Sequence, residues 1–208
     1  WSAVTNRAMS CLMTGGGIGI DYSRLREEGA ELKRTGGTAS GPIPLMQAIN
    51  EIGRRVMQGG SRRSAIYASL DREHPDIFKF LHSKDWAAMK IGATGFTIHD
   101  VKQQDFNYAA PLDMTNISVN YSDEWLALDD PAKDEVFRKN CLQALKTGEP
   151  GFSFNFGKKA KETLRNACTE VTSEDDSDVC NLGSINLGNI TSLQEFEDVV
   201  ALGSRFLV

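Results

Sequence analysis

The sequence lacks several features that would assign a protein to a class at once. It has no apolar run approaching the roughly 18 residues that a membrane-crossing helix needs and no visible secretion signal. A net charge of −5 argues against a broad basic surface for nucleic acid. We therefore expect no membrane and no nucleic-acid partner.

Cysteine is also scarce, and its spacing excludes two common uses. The chain has four cysteines, Cys11, Cys141, Cys168 and Cys180, and no C-x-x-C pair, so we expect no zinc site. The three histidines are scattered without a partner at metal-ligand spacing, so no other metal site is expected. Nothing suggests a secreted disulfide scaffold, which makes a reducing cytoplasm the expected location.

Length and composition indicate an ordinary globular domain. The chain has 208 residues, of which 40% are hydrophobic and 25% charged. It begins at Trp1, inside a helical pattern, and ends at Val208 in another. We therefore expect residues 1–208 to form part of a domain that is truncated at both ends.

Hydrophobic periodicity predicts an α/β fold. Apolar spacing and turn residues predict helices over residues 2–13, 42–57 and 75–82 and after Asp130. Alternation predicts strands around residues 18–20, 66–70, 96–98, 117–121 and 152–156. The helix after Asp130 is expected to bury Val136, Phe137, Cys141, Leu142 and Leu145. Helices that recur between short strands are typical of α/β architectures.

The segment from Asn166 to Glu170 carries the residues best suited to chemistry. In an extended or looped backbone, Asn166, Cys168 and Glu170 would share one face. An amide can hold a hydroxyl, a carboxylate can accept its proton, and a thiol can give up a hydrogen atom or act as a nucleophile. The alternative is a surface loop with a small, unreactive cysteine, and spacing alone does not choose between them.

This segment and the later Cys-Asn-Leu-Gly-Ser-Ile-Asn-Leu run, residues 180–187, resemble the active-site finger loop of ribonucleotide reductases. Further segments match that family in the same order, so that the resemblance covers nearly the whole chain: residues 15–26, 38–42, 58–63, 74–77 and 116–119. The resemblance implies part of a ten-stranded α/β barrel of the ribonucleotide reductase type, with the finger loop near residues 166–180.

The resemblance also implies roles for individual residues. Cys168 would become a thiyl radical and take the 3′ hydrogen of a ribonucleotide. Glu170 would take the proton of the 3′ hydroxyl, and Asn166 would hold the hydroxyls and the carboxylate. Cys180 would be one of two thiols that end as a disulfide, with its partner upstream of this chain. Cys11 and Cys141 are instead expected in the core, and Asn116 and Ser118 are candidates for lining the pocket.

Two further segments resemble the loops that bind or report allosteric effectors in this family. The candidate residues are Gln58, Gly59, Gly60, Arg62 and Arg63, together with Arg24 and Arg26. Guanidinium groups suit phosphates, and paired glycines let a loop move and let its backbone approach a ligand. The alternatives are a helix end followed by a solvated turn, and solvated charges at a strand end.

The resemblance favours class II of the family, which uses adenosylcobalamin. The glycine-rich segment and residues 59–63 and 180–187 look like class II. Ala167 and Thr169 depart from the Asn-Pro-Cys-Gly-Glu common there, and Cys-Thr-Glu also occurs in class I chains. Class I, in which a separate di-metal subunit makes the radical, stays open. Implied partners are a ribonucleoside di- or triphosphate, dNTP or ATP effectors, a thioredoxin or glutaredoxin-type reductant and a second copy in a homodimer. A nucleotide-binding module without chemistry and an inert fragment remain alternatives.

Overall fold

A parallel sheet organises the larger part of the molecule. The computed structural model describes residues 1–34, 36–56, 64–156, 164–175 and 178–207. The chain divides into two units, Trp1–Glu174 and Asp175–Val208. In the first, the main strands are β1 Gly17–Asp21, β2 Ala65–Asp71, β3 Thr115–Tyr121 and β4 Gly151–Phe154, which pair in that order and all in parallel.

Helices connect these strands, as parallel pairing requires. The helices of the first unit are α1 Ser2–Met13, α2 Ile43–Arg55, α3 Ile77–Leu81, α4 Ile98–Gln104, α5 Asp123–Leu126 and α6 Glu135–Thr147. This order confirms the predicted α/β class. The predicted helices at 2–13 and 42–57 and the strands at 18–20, 66–70, 117–121 and 152–156 are confirmed, although β4 ends at Phe154.

The two faces of the sheet have different roles. On one face, alternate residues of β2 and β3, such as Leu70 and Val119, are fully buried in the hydrophobic core with α2. On the other face, polar residues such as Ser69 and Asn120 alternate with them and join through a hydrogen bond. Because the sequence alternates apolar and polar residues, the sheet has a packed face and a polar face.

The predicted strand at Phe96 and Ile98 is wrong. Ile98 is the first residue of α4, and Phe96 is exposed. Thr97 caps the helix by accepting a hydrogen bond from the Asp100 backbone, while the Asp100 carboxylate accepts one from the Thr97 backbone. This reciprocal capping box outweighs two apolar residues at strand spacing.

The predicted buried face of α6 is partly wrong. Val136 is buried and Phe137 packs against the core, but Leu142 and Leu145 are 66% and 86% exposed. The buried position is taken by Asn140, whose side chain accepts from the Tyr121 hydroxyl and donates to the Pro150 carbonyl. A buried amide with both bonds satisfied can occupy a core position, and apolar periodicity does not reveal it.

Two predicted helix starts also shift along the chain. The helix expected from residue 75 begins at Ile77. After Asp130 comes a 3-10 turn, Pro131–Lys133, and α6 begins only after Asp134, whose side chain accepts from the Val136 backbone. Asp134 therefore supplies the cap that the sequence argument gave to Asp130.

The second unit contains a 3-10 turn, Leu187–Asn189, and helix α7, Leu193–Phe206. Ser192 caps α7 by accepting from the Glu195 backbone. Within the described ranges, no helix is both long and apolar enough to cross a membrane.

Candidate active site

A short antiparallel hairpin carries the residues predicted to do the chemistry. Its strands are β5 Leu164–Arg165 and β6 Thr172–Ser173, and we call residues 164–173 the Cys168 hairpin. Between the strands, the backbone N–H of Thr169 donates to the Asn166 carbonyl at 3.1 Å. This bond closes a four-residue turn, as in a β-turn, and places Cys168 in the turn, exposed and as a free thiol.

The turn brings Asn166 and Glu170 together directly. The Asn166 side-chain amide donates to Oε1 of Glu170 at 2.9 Å, and its oxygen accepts from the Val171 backbone at 3.1 Å. Of the two backbone forms considered from the sequence, extended or looped, residues 167–170 adopt a turn. Asn166 bonds along its own chain, as this side chain commonly does in turns, and its amide and the Glu170 carboxylate contact each other directly.

Thr169 has an unusual backbone conformation. Its φ is +71°, in the left-handed region, where β-branched residues are rarely found. Its carbonyl accepts a hydrogen bond from the Arg165 guanidinium at 3.2 Å. This position follows Cys168 directly, so the backbone strain lies beside the candidate catalytic thiol.

Two contacts hold the hairpin against the polar face of the sheet. Gly19 in β1 faces the Arg165 carbonyl so closely that an added Cβ would lie 2.2 Å from that oxygen. Nearer the turn, the Asn116 side chain of β3 donates to the Ala167 carbonyl at 2.5 Å. A residue without a side chain thus admits the stem of the hairpin, and an amide binds its tip.

A polar pocket lies where the parallel strands end. It measures about 230 Å³, and its walls include Asp21, Tyr67, Ser69, Asn120 and Arg165. The Asn120 amide donates to Asp21 at 3.2 Å and to Ser69 at 3.1 Å. The carboxyl ends of parallel strands are a frequent place for ligands.

The Tyr67 hydroxyl is the notable group in this pocket. Tyr67 is buried, and its hydroxyl has no hydrogen-bond partner among the described residues. Burial raises the pKa of Tyr67, against a smaller opposite effect of nearby serine hydroxyls. A neutral phenol that can both donate and accept is therefore available to a ligand.

Comparison of the sequence with known families decides the assignment. Residues 2–125 and 132–208 match the family described as "Ribonucleotide reductase, barrel domain". The chain belongs to this ribonucleotide reductase family. The predicted resemblance to ribonucleotide reductases is confirmed, and so is the prediction that the chain is part of a barrel of this type.

Curated relatives agree with this membership. The chain is 30% identical to a vitamin B12-dependent ribonucleoside-diphosphate reductase of Mycobacterium tuberculosis, over 99% of this chain and 31% of that protein. It is 29% identical to a protein of the same name from Thermoplasma acidophilum, over 93% of this chain and 27% of the relative. It is 26% identical to the ribonucleoside-diphosphate reductase large chain of Schizosaccharomyces pombe, over 93% of this chain and 29% of that relative.

Among solved structures, the chain resembles the class Id ribonucleotide reductase alpha subunit of Actinobacillus ureae. The TM-score is 0.50 at 19% identity, over 73% of this chain and 24% of that one, which supports the fold alone. The chain spans about 30% of the length of the M. tuberculosis relative.

The other residues predicted for the site of this ribonucleotide reductase segment lie outside the Cys168 hairpin. Cys180 is an exposed free thiol in the second unit. Arg24 and Arg26 are exposed, and Arg26 lines a surface groove with Lys33 and Arg34. The candidates Gln58, Gly59, Gly60, Arg62 and Arg63 lie outside the described residues, so their roles stay predictions.

The two cysteines predicted for the core are only half-buried. Cys11 donates a hydrogen bond from Sγ to the Gly17 carbonyl at 3.2 Å, and Cys141 lies on α6. Of the two β3 residues predicted to line the substrate pocket, Ser118 is buried and Asn116 contacts the Cys168 hairpin, so their pocket role stays a prediction. The close approach of Gly19 to Arg165 and the hydrogen bond from Asn116 to Ala167 were not predicted from the sequence, because both join distant segments.

Proposed function

We propose that the full-length protein reduces ribonucleotides to 2′-deoxyribonucleotides, with Cys168 as the thiyl radical. The observation that carries the proposal is the hydrogen bond between Asn166 and Glu170 across the turn that holds Cys168. The names of the relatives, which are ribonucleoside-diphosphate reductases, support a diphosphate as the substrate. A purely structural loop does not need a free, exposed thiol between an amide and a carboxylate.

Each proposed step uses a group of this chain. The Cys168 sulfur radical takes the 3′ hydrogen, so that the C–H bond breaks and an S–H bond forms. Glu170 takes the proton of the 3′ hydroxyl as a general base, and Asn166 holds that hydroxyl and the carboxylate. A thiol of Cys180 or of its partner cysteine gives a proton to the 2′ hydroxyl, so that the C2′–O bond breaks and the hydroxyl leaves as water.

Two thiols complete the reduction. Besides the proton that leaves with the water, Cys180 and a second cysteine supply a hydrogen atom to C2′ and one electron to C3′, and become a disulfide. Glu170 then returns its proton to the 3′ oxygen, and Cys168 returns a hydrogen atom to C3′. An external dithiol of the thioredoxin or glutaredoxin type would reduce that disulfide. The chemistry needs Cys168 and Cys180 as thiols, which supports a reducing, cytoplasmic setting.

Adenosylcobalamin is the cofactor that we propose, supported by the names of two relatives. When bound, it supplies the radical that is passed to Cys168. The pocket at the strand ends fits its adenosyl end, because the Tyr67 hydroxyl lacks a partner and Asp21 and Asn120 add acceptor and donor groups. At about 230 Å³ it lies below the roughly 300–1,000 Å³ of typical ligand pockets, so we assign it no other part of the cofactor.

We also propose that the full-length protein binds allosteric effectors and forms a dimer. Deoxynucleoside triphosphates or ATP would bind through phosphates, for which Arg26, Lys33 and Arg34 provide positive charge in a groove that Glu31 also lines. The exposed Arg24 would assist, and the loop from Gln58 to Arg63 would report the bound effector to the substrate site. We further propose a homodimer.

The direct test is an anaerobic assay of the full-length protein with ribonucleoside diphosphates, a dithiol and adenosylcobalamin. We expect deoxynucleotide formation that requires the cobalamin. Activity that instead requires a separate metal-containing subunit would contradict the cofactor proposal and keep the reductase proposal. No deoxynucleotide under either condition would overturn the proposed function.

A further inference from the structure

Asn116 is the one described residue of the central strands whose side chain hydrogen bonds to the tip of the Cys168 hairpin. Its amide reaches across 51 positions in sequence to the Ala167 carbonyl, at 2.5 Å. From this contact we infer that Asn116 is a positioning residue that sets the direction of the Cys168 thiol. The inference rests on the proposed function, because a direction matters only if the thiol reacts.

The bonded carbonyl is the one that fixes the backbone of Cys168. The Ala167 carbonyl belongs to the same peptide group as the Cys168 nitrogen, and a peptide group is planar. Holding that oxygen therefore fixes the plane from which the Cys168 Cα and Sγ project. A hydrogen bond elsewhere on the hairpin would not hold this plane directly.

The turn needs such an external contact. Thr169 keeps a φ of +71°, and backbone strain of this kind costs about 1–3 kcal/mol and persists only where the surroundings impose it. The other bonds of the turn, from Thr169 to Asn166 and from Arg165 to Thr169, are internal to the hairpin. They would move with it if the tip shifted.

The strand that supplies Asn116 is itself held firmly. Asn116 pairs in register with Tyr67 of β2, between the buried residues Thr115 and Ile117. The Ile117 backbone also donates to the Glu149 carboxylate at 3.1 Å. The amide of Asn116 therefore projects from a fixed point of the sheet, and the bond transmits that fixed position to the turn.

Hydrogen-atom transfer makes the direction of the thiol matter. The reacting atoms must lie about 3–3.5 Å apart, and a misplacement of about 1 Å can reduce the rate about 100-fold. Loss of the hydrogen bond from Asn116 to Ala167 should therefore slow hydrogen-atom transfer from C3′ while leaving nucleotide binding largely intact. This separates a positioning role from a general effect on folding.

The test compares Asn116→Asp with Asn6→Asp in the full-length protein. The first change keeps the size of the side chain and removes its donor, whereas Asn6 is an exposed residue of α1. For Asn116→Asp we expect kcat to fall about 10- to 100-fold with KM within about 2-fold. The isotope effect on kcat for 3′-deuterated substrate should rise, because hydrogen transfer becomes rate-limiting. Asn6→Asp should match the wild type.

Asn116→Ala, which adds no charge, decides the matter if the Asp variant fails to fold. An unchanged kcat in a folded variant would overturn the inference, and so would a lower kcat with an unchanged isotope effect. An inactive wild-type protein would instead overturn the proposed function, so the two failures are distinguishable.

Discussion

The side-chain amide of Asn166 donates a 2.9 Å hydrogen bond to Oε1 of Glu170, across the turn that carries Cys168. The same Asn166 side chain accepts from the Val171 backbone at 3.1 Å. Its orientation is therefore fixed at both ends of the amide, and the carboxylate is held by a group that does not compete for protons.

Glu170→Gln should reduce kcat strongly while leaving the hairpin folded. The variant keeps the size of the side chain but cannot take a proton, and general-base catalysis typically contributes about 10²–10⁴-fold. Steady-state kinetics on the full-length protein would measure the loss. Glu197→Gln, at an exposed position of α7, is the matched control, and equal rates in the two variants would contradict the assigned base.

Gly19→Ala should displace the stem of the Cys168 hairpin. The new Cβ would lie 2.2 Å from the Arg165 carbonyl oxygen, a backbone atom that cannot move independently. Overpacking of this kind typically costs about 1–3 kcal/mol, so we expect a lower free energy of unfolding and lower activity. At Gly17, two residues earlier in β1, an added Cβ comes no closer than 3.4 Å to its neighbours. Similar losses in Gly17→Ala would show that close approach at Gly19 is not the cause.

Thr169→Gly should relieve backbone strain in the turn. Left-handed backbone costs a residue with a side chain about 1–2 kcal/mol, and the extra freedom of glycine in the unfolded chain offsets about 0.5–1 kcal/mol of that gain. We therefore expect unchanged or slightly higher stability in chemical denaturation. Thr172→Gly, in β6, should be destabilising, because no strain is relieved there. A loss of stability at Thr169 equal to that at Thr172 would contradict this account.

Acid should weaken the contact between Arg54 and Asp113. Burial alone would raise the pKa of Asp113, but hydrogen bonds from Arg54 and Asn50 hold it below its ordinary value. Because the folded pKa is lower than the unfolded one, this contribution to stability is fully present above about pH 4 and disappears as the pH falls further.

The measurement is the free energy of unfolding of Asp113→Asn and wild type between neutral pH and pH 3. The difference between the two proteins should be largest near neutrality and shrink in acid. Asp129→Asn, at an exposed position, should show no such trend. A difference for Asp113→Asn that stays constant across this range would refute the assignment.

The sequence predicted the elements that depend on local patterns. Alternation in Ile66, Ala68 and Leu70 predicted β2, and apolar spacing through Leu45 and Ile49 predicted α2. Both predictions succeeded because each pattern matches the geometry of its element. The same reasoning failed at Phe96, where a capping box began a helix.

The site was predictable only in part, for a physical reason. Residue types and their order made Asn166, Cys168 and Glu170 candidates, because their groups suit the chemistry, and their roles stay predictions. The left-handed backbone of Thr169 was not predictable, because this conformation is unusual for its residue type. The hydrogen bond from Asn116 to Ala167 was not predictable, because it joins segments far apart in sequence.

The most direct test of the central claim is replacement of Cys168 in the full-length protein. Cys168→Ser keeps the shape of the side chain but cannot form a thiyl radical, and Cys141→Ser makes the same change on α6, away from the hairpin. Deoxynucleotide formation should fall to the uncatalysed level in Cys168→Ser and stay near wild type in Cys141→Ser. Wild-type activity in Cys168→Ser would contradict the assignment of Cys168 as the radical residue.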